Sequence, residues 1–379
     1  MRDEHNARMA ALLTDHEITE RVLTHIANRS TDVGDALWRE PVDNYRSASR
    51  FEAEMQHVLR RSYAPFCPSA ALPEVGSFVA REAAGTPIVV VRGQDRVVRA
   101  FHNVCRHRGM RLVNDSGCLN AFVCPYHGWT YELNGRLRHI PHAAGFPGLD
   151  KQQHSLAPLR AVERLGLVFV SQAPGAAEPD LAGLPELIGT EQKLYAMSSR
   201  VNEANWKIVL EGFLEGYHIR ATHPESFFPY GFDNLNVIEQ IGPHSRVTFP
   251  FRRIEKLAAV PPQERRVLGF VTFVYQLFPN ALITVLSNHT VLLVLEPLGV
   301  DRTNVVAYSV TNHSGDPAEA LEAAKRDAHF AEIGASEDRA MVSAIQRGIG
   351  TDANQSFVFG RFESAIVHFH RTLGAALSQ

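Results

Sequence analysis

Cys105-Arg-His107 and, after sixteen intervening residues, Cys124-Pro-Tyr-His127 put two thiols and two imidazoles into two short loops. Both loops run into a glycine-containing turn, Arg108-Gly109 in the first and Gly128-Trp129 in the second. Two thiolates on one iron and two neutral imidazoles on another would hold a mixed-ligand [2Fe-2S] cluster, and imidazole in place of thiolate raises its potential. Structural zinc sites instead pair their cysteines as Cys-x2-Cys with histidines grouped elsewhere, so the mixed pairs argue against zinc. The remaining cysteines, Cys67 and Cys118, have no such context, and four in so long a chain make no disulfide scaffold.

A second constellation lies in NWKIVLEGFLEGYHIRATHPE, from Asn205 to Glu225. Two histidines and one carboxylate on one face of Fe(II), with positions left open, form the non-haem site that activates O2. His218 and His223 supply the histidines. A five-residue spacing does not put them on one helical face, but Pro224 pushes His223 out of the helical region and lets the chain turn back. On the same helix Glu211, Glu215 and His218 follow i, i+4, i+7 and so share a face. The carboxylate ligand must come from far away. Asp338, with Met341, Val342 and Ile345 at i+3, i+4 and i+7, points with the apolar face of another helix, and Glu337, Glu332 and Asp327 remain as alternatives.

The elements that carry these residues change character along the chain. The first 30 or so residues and Phe51 to Arg61 read as helix. Short β runs follow at Pro87 to Arg92, Val97 to Val104, Ala121 to Cys124 and Gly166 to Ser171, separated by turn residues as in a small all-β domain. The Pro/Gly/Ala stretch from Ala173 to Pro185 reads as a linker. Beyond the helical run at Trp206 come Gly269 to Phe278, Ala281 to Leu286, Val291 to Leu295 and Val305 to Val310, joined by short turns as in an antiparallel sheet. Asp316-Pro317 opens a helix that runs to Gly348, and Arg361 to Leu377 is helical again. The expected fold class is α+β, in three parts: an N-terminal helical segment over 1–43 packing on the catalytic domain, an all-β cluster domain over 44–175, and a catalytic domain over 176–379.

The chain has 379 residues, 45% of them hydrophobic, with 38 basic and 41 acidic residues for a net charge of −3. That balance leaves no electrostatic footprint for nucleic acid or an anionic membrane. No apolar run reaches membrane-spanning length, and the charged N-terminus carries no signal-peptide core. A cytoplasmic protein is the expectation. No glycine-rich dinucleotide fingerprint occurs, so NAD(P)H would act only through a partner.

The segments CRHRGMRL, CPYHGWTY and NWKIVLEGFLEGYHIRATHPE, with SEDRAMVSAIQRG around Asp338, resemble the α subunit of Rieske non-haem iron ring-hydroxylating oxygenases and related demethylases. The resemblance runs from about Asn44 to Phe369. It implies a Rieske [2Fe-2S] cluster on Cys105, His107, Cys124 and His127, and a mononuclear Fe(II) on His218, His223 and Asp338. It also implies a START-like helix-grip catalytic domain with a curved antiparallel sheet. Glu215 matches the carboxylate that bridges an iron-ligand histidine to a neighbouring subunit's cluster. Most members carry Asp there, and Glu is shared with the carnitine- and choline-oxidising members. Gly212 stands where asparagine is common.

The implied activity is that of a terminal oxygenase, using O2 and NAD(P)H electrons delivered by a reductase or ferredoxin to oxidise a small organic molecule. Monooxygenation or N-/O-dealkylation is the favoured outcome, ring dihydroxylation in aromatic catabolism the runner-up, and a non-enzymatic electron carrier the third reading. A homotrimer would set each cluster beside its neighbour's iron, a head-to-tail contact closing as a ring. For the substrate, Tyr217, Phe227, Phe228, Tyr230 and Phe232 could cage an onium group, stack on a ring or simply be core, the commonest role for any one of them; Arg220, Arg252 and Arg253 could hold a carboxylate, although surface arginines are commoner.

Overall fold

The computed structural model describes residues 12–312 and 315–378. Expectations for the first eleven residues lie outside that range. No helix among the described residues is long and apolar enough to cross a membrane.

The first sheet has seven antiparallel strands in the order Ala64–Pro68, Leu167–Ser171, Pro158–Arg164, Val98–His102, Thr86–Arg92, Ser77–Ala83 and Ser116–Cys118. A three-stranded sheet, Phe122–Val123, Thr130–Tyr131 and Leu137–His139, stands beside it. Phe101, Phe122, Trp129 and Tyr131 pack with Cys105 and Cys124 into one core between them. The loops that bear the cysteines and histidines therefore rise from a closed apolar base.

The second large sheet is an antiparallel meander from Val237–Ile241 through His244–Pro250, Val271–Leu277, Ala281–Val285, His289–Gly299 and Arg302–Thr311, with Leu194–Asn202 added beside the last of these. This curved sheet holds the 33-residue helix Pro317–Ile349 and the helix Ser364–Leu377. Asp316 caps the long helix by accepting the Ala318 and Glu319 N–H groups, with Pro317 in the first turn, as the sequence implies.

Two sequence expectations need correction. The boundary at residue 44 does not match the packing: Val42, Tyr45 and Val58 lie in one core with Trp206 and Phe369 of the catalytic part. Buried Glu54 accepts from Lys207 Nζ at 2.8 Å and from Trp206 Nε1 at 3.0 Å. The helical stretch before about residue 60 thus belongs with the catalytic core, as does the helix Asp15–Asn28, whose Ile18 and Val22 pack with Ile254 and Leu257.

The second correction concerns the helix from Trp206, which stops at Glu211. Gly212 and Gly216 are poor helix formers. Between them, Glu215 turns its own carboxylate onto the Tyr217 and His218 N–H groups, replacing helical partners. Glu211 therefore does not share one helical face with Glu215 and His218.

Candidate metal centres and the cavity beside them

The two cluster loops have the same backbone. Cys105 N–H donates to Met110 O and Gly109 N–H to Cys105 O, at 2.8 and 3.0 Å. Cys124 N–H donates to Trp129 O and Gly128 N–H to Cys124 O, at the same two distances. Gly109 and Gly128 take φ of +77° and +70°, a region that penalises a Cβ, which explains the glycine in each loop.

Burial lifts the Cys105 thiol above its ordinary range, the Tyr131 hydroxyl 3.3 Å from its sulfur pulls it back, and the Cys124 thiol nearby adds to the rise. His107 Nδ1 and His127 Nδ1 lie 3.1 Å apart, and no carboxylate among the described residues pairs with either ring. Burial and the neighbouring His127 and Arg108 lower the His107 pKa, favouring the neutral ligand form. The His107 ring stacks on Trp129 with centroids 4.9 Å apart, and Phe146 meets its edge. Two buried, unbridged thiols and two imidazole nitrogens converging without an acid fit a cluster with mixed ligands.

The second set also converges. One ligand atom from each of His218, His223 and Asp338 lies within 4.8 Å of the others. His223 Nε2 is 2.9 Å and His218 Nε2 3.7 Å from Asp338 Oδ1. The His223 side chain is fully buried, yet its Nε2 has no hydrogen bond among the described residues. A buried nitrogen aimed at a carboxylate without hydrogen-bond geometry fits a cation between them. Both rings are held from behind. His218 Nδ1 meets Glu215 Oε1 in a short contact, and His223 Nδ1 lies 2.6 Å from Glu337 Oε2, which also accepts from Ser226 Oγ at 2.5 Å. Burial disfavours charge on both imidazoles, but the carboxylates outweigh it and raise both pKa values: Glu215 and Asp338 at His218, Asp338 and Glu337 at His223. The site therefore draws positive charge.

The four acids considered for the third ligand differ in position. Glu337 stands behind His223, Glu332 pairs with Arg339 at 2.7 Å, and Asp327 accepts from Asn288 at 2.8 Å. Asp338 alone of the four faces both Nε2 atoms.

Beside the site opens a cavity of about 520 Å3. His218, Glu215 and Asp338 line it, as do Met341, Val342 and Ile345 of the same helix face. A Cβ on Gly212 would meet only Val209 O at 4.0 Å, so the missing side chain leaves room there. The aromatic and basic residues that could have met substrate lie elsewhere. Phe227 packs against His223 and Phe330, and Tyr230 against Phe330. Arg252 stacks over Phe228 and Phe232, Arg220 pairs with Asp233, and Arg253 donates to Gly269 O. Phe213, Phe357 and Phe359 line the cavity instead, with the carboxylates of Glu211 and Glu363. Burial lifts Glu363 to about 7, the Gly360 N–H opposes this, and Glu215 and Glu211 add to the rise. Neither Glu363 nor the Glu337–Ser226 pair carries a sequence signal, since each meets its partners only through the tertiary fold.

Comparison with known proteins agrees with this geometry. Residues 62–156 match the family described as the Rieske [2Fe-2S] domain, and residues 191–379 match the ring hydroxylating alpha subunit (catalytic domain). The carnitine monooxygenase oxygenase subunit of Escherichia coli (strain K12) is 27% identical over 371 residues, covering 89% of this chain and 93% of that one. The glycine betaine monooxygenase oxygenase subunit of Pseudomonas aeruginosa (strain UCBPP-PA14) is 36% identical over 192 residues, covering 49% of this chain and 44% of that one. In fold, the chain is similar to a quaternary ammonium Rieske monooxygenase solved with L-carnitine, with a TM-score of 0.77, 24% identity, and 92% and 97% of the two chains covered. The chain belongs to the Rieske non-haem iron oxygenases, as a terminal oxygenase that combines a [2Fe-2S] cluster with a mononuclear iron and draws its electrons from a reductase partner.

Proposed function

We propose that this oxygenase monooxygenates a small quaternary ammonium compound at a carbon next to nitrogen, leading to N-dealkylation. The observation that carries this reading is the cavity wall: the Glu211 and Glu363 carboxylates stand with Phe213, Phe357 and Phe359 beside the His218–Asp338 face. The Glu211 carboxylate and the aromatic faces, with a Glu363 whose ionisation a bound cation would favour, attract an onium cation, which a neutral aromatic hydrocarbon would not exploit. The relatives named for carnitine and glycine betaine support the same class.

Cys105, His107, Cys124 and His127 would hold the cluster, and His218, His223 and Asp338 the mononuclear iron. The iron would supply activation of O2 at its open positions. The chain's own part is orientation and the lining of the cavity. Glu337 fixes the His223 ring by accepting from Nδ1, Glu215 does the same for His218, and Val342 and Ile345 give the cavity an apolar wall. Glu215, with 12% of its side chain exposed, would bridge to a neighbouring subunit's His127 in a homotrimer. The separate sheets and two of the cores support a Rieske unit over about 62–172, with the segments before and after it forming the catalytic unit. A cytoplasmic setting suits a partner fed by NAD(P)H.

The test is a substrate panel with a reductase partner, NADH and O2. Trimethylammonium compounds should give formaldehyde in step with NADH consumption, and neutral aromatic hydrocarbons should give no diol. Diol formation from the aromatics, with the ammonium compounds inert, would overturn the substrate assignment.

A further inference from the structure

Behind the cavity wall lies a buried polar chain that neither ligates nor orients a metal. Glu211, which lines the cavity, accepts at Oε1 from Tyr45 Oη at 2.7 Å and meets His370 Nε2 at 2.8 Å. The other ring nitrogen, His370 Nδ1, is 3.4 Å from Glu40 Oε1. Glu40 accepts from Asn44 Nδ2 at 2.6 Å and from Trp38 Nε1 at 2.9 Å, and its side chain keeps 6% exposure. The His370 side chain is 1% exposed and is packed by Phe359 and Phe369. Glu211 Oε2 has no partner among the described residues. Burial, and next the Glu211 carboxylate, raise the Tyr45 pKa and keep it a donor. An imidazole buried between two carboxylates is costly unless the arrangement serves some purpose.

We propose that Glu211, His370 and Glu40 form a proton relay that delivers protons from solvent to the oxygenase cavity. The inference rests on the oxygenase activity, not on the identity of the substrate. Monooxygenation of a C–H bond consumes O2, a pair of electrons from the reductase and a pair of protons. One oxygen atom enters the C–H bond, and the other leaves as water. The protons must be delivered inside the cavity, and Glu211 is a buried acid on its wall. In each relay step Glu40 takes a proton from solvent and passes it to His370 Nδ1. The imidazolium so formed gives its Nε2 proton to Glu211, which releases it into the cavity. The imidazole ends with its proton on Nδ1 and resets between turnovers by exchange and ring rotation. Tyr45 steadies Glu211 but lies outside the path, because the Glu211–His370 contact does not need it.

The test compares His370→Ala, Glu40→Gln and Tyr45→Phe in the holoenzyme with its reductase. His370→Ala should lower kcat about 10- to 100-fold, toward the lower end of what a positioned acid supplies. KM, iron content and the Rieske spectrum should stay unchanged. The solvent isotope effect on kcat should rise, and added imidazole, filling the space left by the ring, should restore part of the rate. Glu40→Gln, a near-isosteric change, should repeat the isotope effect, whereas Tyr45→Phe should keep most of kcat with no change in it. A His370→Ala enzyme with wild-type kcat would overturn the relay. So would equal losses in all three variants with an unaltered isotope effect and no imidazole rescue, the pattern of a purely structural network. If His370→Ala fails to fold, Glu40→Gln decides: wild-type kcat and isotope effect in that variant would overturn the proposal.

Discussion

Gly334 lies buried in the long helix, and replacing it with alanine should loosen the mononuclear iron while sparing the cluster. A Cβ built there falls 2.0 Å from Phe227 Cζ and 2.2 Å from Cε2. Carbon atoms sit about 3.5–4.0 Å apart at contact, so the ring must retreat by about 1.5 Å. Behind it the His223 ring centroid is only 4.7 Å away, and Phe330 blocks another side at 5.5 Å. Overpacking of this kind costs about 1–3 kcal/mol. Expressed wholly at the ligand, that is about 5- to 150-fold in iron affinity, since about 1.4 kcal/mol is a factor of ten. Alanine is also the better helix former by about 1 kcal/mol, so global stability should change little. The assay is Fe(II) competition against a chelator, with Rieske absorbance as the internal standard. Wild-type iron affinity in Gly334→Ala would refute the packing argument and the role given to His223.

Three further outcomes follow from the same geometry. His127→Ala should abolish the Rieske-type electron paramagnetic resonance signal and leave Fe(II) binding at the second site intact. Glu215→Gln should keep both metals yet lose most turnover, and mixing an Asp338→Ala chain with a His127→Ala chain should restore some activity once subunits exchange. Inactive mixtures, with exchange verified, would argue for transfer within one chain. Glu363 has a folded pKa of about 7 against an ordinary 4.5, so the folded state holds a proton that the unfolded state releases, and stability falls as pH rises between those values. Glu363→Gln should therefore melt higher than wild type above pH 7 and show no gain near pH 4.5; an equal gain at both would contradict the burial argument.

The cluster loops were legible because everything they need is local: ligand, turn glycine and flanking strand stand within six residues in each half-motif. The cavity-facing side of Asp338 was legible through helical period, since Met341, Val342 and Ile345 line the same cavity. The same periodicity misled at Glu211, where Gly212, Gly216 and the Glu215 side chain end the helix before the pattern does. Strands with unbroken apolar runs stood out. Leu194–Asn202 did not, because it is an edge strand with mostly exposed residues that show no alternation. The aromatic cluster after His223 was visible as composition, but composition has no direction: Phe227 turns to the back of His223, while Phe357 and Phe359, far along the chain, face the cavity. His370 and Glu40 are 330 positions apart in sequence, and only the fold brings them to 3.4 Å.

The account stands most directly on the presence of a second iron site separate from the cluster. Iron and acid-labile sulfide should be counted in the natively purified protein and in Asp338→Ala. The account predicts about three irons and about two sulfides per chain, falling to about two irons with sulfide unchanged in the variant. About two irons in the wild-type chain, or the same count in both proteins, would contradict it.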